Sequence, residues 1–175
     1  AIPLFIFMAS MLEKSGVIEE VFDVAYKWLG RIPGGLAVAT VVASTVLAAM
    51  VGVIGAAVVT MALVALPSML RRGYSPVLAV GTVMAGGTLG ILIPPSVLAI
   101  VYGLVANQSV GELYLGSVFP GLVLSGLYIL FSVGYALLNP KAAPRLSPEE
   151  TPTWSERWRA LRSIWSPLVL IFLVL

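Results

Sequence analysis

The 175-residue sequence has no cysteine and no histidine, and only 10% of its residues are charged. Without cysteine there is no disulfide, and nothing to read about the redox compartment. Lacking both residue types, the sequence cannot supply the common zinc ligand sets or a Ser-His-Asp triad. The few basic residues sit in short clusters. They make no face long enough to follow a phosphate backbone, so nucleic acid is not an expected partner. What remains is apolar: hydrophobic residues are 59% of the chain and mean hydropathy is +1.04. A soluble domain would carry about 25% charged residues. The composition predicts an all-α integral membrane chain crossing the bilayer more than once.

Between Ile32 and Gly111 the only charges are Arg71 and Arg72, which separate two uncharged stretches of 39 residues each, 32–70 and 73–111. Lys27 and Arg31 precede the first stretch. Basic residues flanking membrane segments favour the cytoplasmic side. If both flanks obey that rule, the first stretch enters and leaves on one face. Its length as helix is about 58 Å, about twice a 30 Å hydrocarbon core. The pattern predicts a re-entrant helical hairpin over 36–70 with its tip near Gly52 and Gly55. The alternative is one long tilted span in which those glycines serve helix packing. Residues 76–104 are expected to form a discontinuous transmembrane helix, divided by Gly86-Gly87-Thr88-Leu89-Gly90 and by Pro94-Pro95. It would emerge outside at 105–112, which carries no Lys or Arg. Residues 113–139 would return as a transmembrane helix to the basic cluster Lys141, Arg145, Arg157, Arg159 and Arg162.

The flanking segments complete the expected layout. Residues 1–12 read as the end of a transmembrane helix. Residues 13–35 read as an amphipathic interfacial helix. Val17, Val21, Phe22, Ala25, Trp28 and Leu29 mark its apolar face, and Glu19, Glu20, Asp23, Lys27 and Arg31 the other. Packing on another subunit is the alternative for that apolar face. Residues 140–165 are a cytoplasmic linker with Pro140, Pro144, Pro148 and Pro152, then an amphipathic helix opened by the capping-box pattern Thr153-Trp154-Ser155-Glu156. Residues 166–175 start the next transmembrane helix. The sequence is apolar at both ends and reads as an internal piece of a longer protein.

The uncharged stretches hold no acid–base pair and no activated nucleophile, so an enzyme is not expected. Their chemistry is hydroxyls and backbone: Ser44, Thr45 and Thr60 in the hairpin, Thr82, Thr88 and Ser96 around the break. Unwound backbone at membrane depth must be covered by protein or line a polar cavity. Broken helices at the midplane are how secondary transporters build their sites. The candidate cation- and substrate-binding residues are Gly52, Gly55, Thr60, Gly86, Gly87, Thr88, Gly90, Pro94, Pro95 and Ser96. A Na⁺ ion would be held through backbone near Gly52, Val53, Gly87 and Thr88, since hard cations take oxygen ligands. With no carboxylate at depth, Na⁺ fits better than H⁺ as a coupling ion, and no other cofactor is expected. Taken singly, each hydroxyl is better explained by a bond to the carbonyl one turn back, and the clustering of Gly, Thr, Pro and Ser is what favours a site.

The run Met69-Leu70-Arg71-Arg72-Gly73-Tyr74, then Gly81-Thr82, then Ala85-Gly86-Gly87-Thr88-Leu89-Gly90-Ile91-Leu92-Ile93-Pro94-Pro95-Ser96, resembles the large membrane subunit of TRAP (tripartite ATP-independent periplasmic, DctM-type) transporters. So do Pro3-Leu4-Phe5-Ile6-Phe7-Met8 and Ala106-Asn107-Gln108-Ser109-Val110-Gly111-Glu112-Leu113. The resemblance covers residues 1 to about 135. It implies a permease of the ion transporter superfamily in a bacterial or archaeal cytoplasmic (inner) membrane, working as an elevator. It further implies Na⁺ symport of organic acids such as dicarboxylates, with a small membrane subunit and a periplasmic substrate-binding protein as partners. These residues would hold the first of two inverted repeats. The departure is at the hairpin tip, where many members have a Ser-Gly-Ser-Ser-type sequence and this chain has Val51-Gly52-Val53-Ile54. A non-transporting membrane scaffold or assembly subunit is the competing function.

Overall fold

A computed structural model describes Phe7, Met11 and residues 15–144. The expectations for 1–12, Phe7 and Met11 apart, for the second surface helix and for 166–175 lie outside the described residues. Among residues 15–144 six helices follow one another: α1 Val17–Leu29, α2 Gly35–Val51, α3 Ile54–Arg71, α4 Pro76–Leu92, α5 Val97–Ala106 and α6 Val110–Leu138. No strand occurs among the described residues.

Helix α1 is amphipathic, with Glu19 and Glu20 in its first turn and Lys27 in its last, the arrangement that suits the helix dipole. Its apolar residues Ile18, Val21, Phe22 and Ala25 are buried in one cluster with Leu36, Ala39 and Ala43 of α2, and Val24 is buried as well. Val17, Trp28 and Leu29 are only partly buried. The apolar stripe is therefore centred on Ile18, Val21, Phe22 and Ala25, and the chain's own α2 covers it. Arg72 lies over the ring of Tyr26, 4.7 Å from its centroid, so the far end of the hairpin is fastened to α1 as well.

Helix α2 is apolar on all sides and almost wholly buried, as a helix at the centre of a bundle must be. Its alanines admit close neighbours: α1, α3, α4 and α6 all pack against it. Two residues turn the chain from α2 into α3. Gly52 adopts a left-handed conformation (φ 64°), which glycine takes without a Cβ penalty, and Val53 is extended. At the open end of this hairpin the Leu36 N–H donates to the Tyr74 hydroxyl at 3.3 Å, and burial pushes the Tyr74 phenol above its ordinary range.

Helix α4 starts on Pro76, a residue suited to the first helical turn. It runs unbroken through Gly86, Gly87 and Gly90 to Leu92. The glycine-rich run is thus not a break, contrary to the sequence reading: unwinding is confined to Ile93–Ser96. Pro94 forces Ile93 out of helical conformation (ψ 121°), and neither proline has an amide to continue the ladder. Ser96 then caps α5, its hydroxyl accepting from the Ala99 N–H at 3.5 Å. By length and composition Ile54–Arg71, the interrupted Pro76–Ala106 and Val110–Leu138 can each cross a bilayer, and Gly35–Val51 is a shorter apolar helix.

Candidate functional site

The hairpin tip meets the break in α4–α5. The Val97 N–H, the first of α5, donates to the Gly52 carbonyl at 3.4 Å. A β-carbon on Gly52 would fall on the Pro95 carbonyl, so only glycine allows this approach. Pro94, Pro95 and Ser96 are buried beneath the contact. Beside it opens a cavity of about 380 Å³. Gly52, Val53, Ile54 and Gly55 line it from the tip, Gly90 and Ile91 from the end of α4, and Ser96, Val97 and Leu98 from the start of α5.

The structure thus gathers Gly52, Gly55, Gly90 and Ser96 of the candidate residues around one space, together with Val53. Pro94 and Pro95 lie beneath the contact, and the remaining candidates stand apart. Gly86 and Gly87 are helical and buried away from the cavity, where they let α4 approach the hairpin. A β-carbon on Gly86 would meet the Ser44 hydroxyl, and one on Gly87 would meet a Val58 methyl. Thr60 is buried and donates to the Ala56 carbonyl at 2.8 Å. Thr88 is exposed on another face of α4, where it donates to the Ala85 carbonyl at 2.7 Å and lies 3.2 Å from the Tyr128 hydroxyl. Gly87 and Thr88 therefore lie inside regular helix, where carbonyls are spent on the ladder, rather than in unwound backbone.

Sequence reasoning did not single out Ile91, Val97 and Leu98 of the cavity wall. As aliphatic residues in an apolar run they carry no distinguishing signal. It also missed the link from the hairpin to α6, the 2.7 Å contact between the hydroxyls of Thr45 and Ser125. Ser125, one of three serines in a largely apolar span, was the available clue. Gly121 brings α6 against the break as well, since a β-carbon there would stand 2.7 Å from Ile93. Ser44 is buried and its hydroxyl has no hydrogen-bond partner among the described residues. No group of His, Cys, Asp or Glu able to hold a metal ion occurs among the described residues.

Across residues 1–175 the chain matches the family model of the tripartite ATP-independent periplasmic transporter, DctM component. It is 36% identical over 175 residues to the C4-dicarboxylate TRAP transporter large permease protein DctM of Vibrio cholerae, an alignment covering 100% of this chain and 38% of that protein. It is also 36% identical, over 174 residues, to the protein of the same description from Pseudomonas aeruginosa, covering 99% of this chain and 40% of that one. The ectoine TRAP transporter large permease protein TeaC of Halomonas elongata is 30% identical over 168 residues, covering 96% of this chain and 38% of that protein. The chain spans about two fifths of the length of these relatives.

Proposed function

The chain belongs to the DctM family of tripartite ATP-independent periplasmic transporters, and on that premise we propose that it builds one half of the substrate site in the large permease of a secondary active importer of organic acids. It does so as part of an all-helical, multi-pass membrane protein. The observation that carries this reading is the cavity of about 380 Å³ where the glycine tip of a helical hairpin closes on the break between α4 and α5. Buried unwound backbone beside a cavity is the arrangement that lets non-helical chain exist at membrane depth.

In this reading α2 and α3 are a re-entrant hairpin, entering and leaving on the cytoplasmic face. They move with α4 and α5 as one body against a scaffold, in the elevator manner. The coupling ion is Na⁺, taken by carbonyl oxygens of the tip and the break, because no carboxylate, histidine or lysine is available in the two uncharged stretches to carry a proton. The membrane is the bacterial inner membrane, and the partners are a small membrane subunit and a periplasmic substrate-binding protein. Relatives are described as transporters of C4-dicarboxylates, ectoine, isethionate and sialic acid.

Single-cysteine labelling from each membrane face tests the topology in the complete protein. Gly35 is a poor probe, since a β-carbon there would meet the backbone of Leu29 and Gly30. Ile32→Cys, Ser75→Cys and Ser109→Cys are better placed, in the turns outside the helices. Positions 32 and 75 should react from the cytoplasm and 109 from the opposite side. Reaction of 32 and 75 from opposite faces would remove the re-entrant hairpin and favour a scaffold subunit. For coupling, uptake by the reconstituted complex should follow an imposed Na⁺ gradient, and a pH gradient alone should not drive it.

A further inference from the structure

A single peptide group joins the hairpin tip, the break and α6. Its N–H, from Val97, donates to the Gly52 carbonyl at 3.4 Å. Its C=O, from Ser96, accepts from the Tyr114 hydroxyl of α6 at 3.3 Å. A trans peptide is planar, so its C=O and N–H point opposite ways and cannot turn independently. A bond on one side therefore fixes the direction of the other. The Ser96 carbonyl also accepts the Ile100 N–H at 3.2 Å, the first ladder bond of α5. With a donor on each of its two lone pairs, that oxygen has none left for a cation.

The fold holds Tyr114 in place. Between α5 and α6 the chain turns tightly, with Asn107 left-handed (φ 52°) and the Gln108 N–H donating to the Gly103 carbonyl at 3.0 Å. A β-carbon on Gly103 would stand 2.9 Å from a Val110 methyl, so the two helices are in close contact where α6 begins. Gly121, two turns beyond Tyr114 on the same side of α6, lies against Ile93. Helix α6 thus touches the unwound segment at both of its ends, Ile93 and Ser96.

We infer that Tyr114 is a positioning residue for the coupling cation: through the Ser96–Val97 peptide it holds the Gly52 carbonyl, and with it the hairpin tip, against the break. The inference rests on the reading of Na⁺ at tip and break given above, and it names a residue outside both that sets the affinity. Tyr114 does not line the cavity itself. The Val97 N–H takes one lone pair of the Gly52 oxygen, and the second suits a cation. Hydrogen bonds in a chain polarise one another, so donation by Tyr114 strengthens the Val97 N–H as a donor as well as aiming it. Phenylalanine fills the same space without the hydroxyl.

The experiment uses the complete large permease with its small membrane subunit, purified, and Na⁺ itself as the probe. Melting temperature is followed as NaCl replaces KCl at constant ionic strength, which gives the half-saturating Na⁺ concentration. Tyr114→Phe should raise that concentration by roughly two- to tenfold, the range of one net hydrogen bond. Its melting temperature in KCl alone should stay close to the wild-type value. Val97→Pro removes the amide at the other end of the chain of bonds. Proline suits the first helical position, and Ser96 before it is already extended (φ −120°, ψ 124°). This variant should also raise half-saturating Na⁺, and adding Tyr114→Phe to it should cause little further rise, because both act on one contact. Tyr128→Phe is the control: its hydroxyl, on the same helix, meets Thr88 rather than the break, and the Na⁺ response should not change. An unshifted Tyr114→Phe, or the same factor for it with and without Val97→Pro, would overturn the inference, and the first of these outcomes does not depend on the proline variant folding. A wild-type protein that Na⁺ stabilises no better than K⁺ removes the coupling reading and this inference together. A wild-type response to Na⁺ that Tyr114→Phe leaves intact removes this inference alone.

Discussion

Gly87 of α4 lies so close to Val58 of α3 that a β-carbon on it would occupy the space of a Val58 methyl. The two helices touch through bare backbone on one side and a branched side chain on the other. Gly87→Leu should therefore abolish uptake by the complete protein while membrane insertion persists. Gly87→Ala should cost about 1–3 kcal/mol of stability through overpacking. Adding Val58→Ala removes the offending methyl, so the double variant should recover most of the lost melting temperature. If the two losses simply add, the helices are not in contact at this point.

Gly52 faces a harder constraint, because its neighbour is backbone. A β-carbon would meet the Pro95 carbonyl and would also sit on a left-handed residue, a conformation costing about 1–2 kcal/mol for a side chain. Gly52→Ala should lower uptake at least about tenfold, since misplacing the tip disturbs the site it closes. Gly126→Ala is the matched control: nothing lies within 4 Å of that β-carbon position, and uptake should stay at the wild-type level.

The Thr45–Ser125 contact joins the hairpin to α6 within the apolar layer. Such interhelical bonds in membranes are worth about 0.6 kcal/mol on average. Thr45→Val and Ser125→Ala should each destabilise modestly, and the double variant should be no worse than the weaker single one. A thermal-unfolding cycle with a coupling energy near zero would mean that the two hydroxyls act independently.

Tyr74 gives a pH dependence with a defined sign. Desolvation raises its phenol above the ordinary 10.0, while the Leu36 amide and Arg72 pull it back. The folded state thus holds this proton more tightly than the unfolded state. Its contribution is complete below pH 10 and is lost as pH rises through the folded value. Melting temperature should fall above pH 10, and the fall should be shallower in Tyr74→Phe than in the wild type. Equal slopes would place Tyr74 in water rather than under the loop.

The amino-acid sequence by itself determined that this chain is a multi-pass helical membrane protein, and roughly where the helices stop. Charge and hydropathy suffice for that, because lipid rejects ions and unpaired backbone wherever they occur. Arg71, Arg72, Gly52 and the two prolines were each visible as punctuation. The family was legible too, in the ordered run from Met69 to Leu113.

Three-dimensional packing decided what each punctuating residue does. Gly86, Gly87 and Gly90 look like a break in one dimension, yet the helix continues through all three, with Ser44 against Gly86 and Val58 against Gly87. A glycine in a sequence signals both unwinding and close approach, and only the presence of a neighbour separates the two. The apolar stripe of α1 likewise fits a membrane surface or a packed neighbour, and only the structure shows that the chain's own α2 lies against it. The meeting of Gly52 with Val97 joins residues 45 positions apart. No local pattern encodes that distance, because it depends on how α2, α3 and α4 pack together.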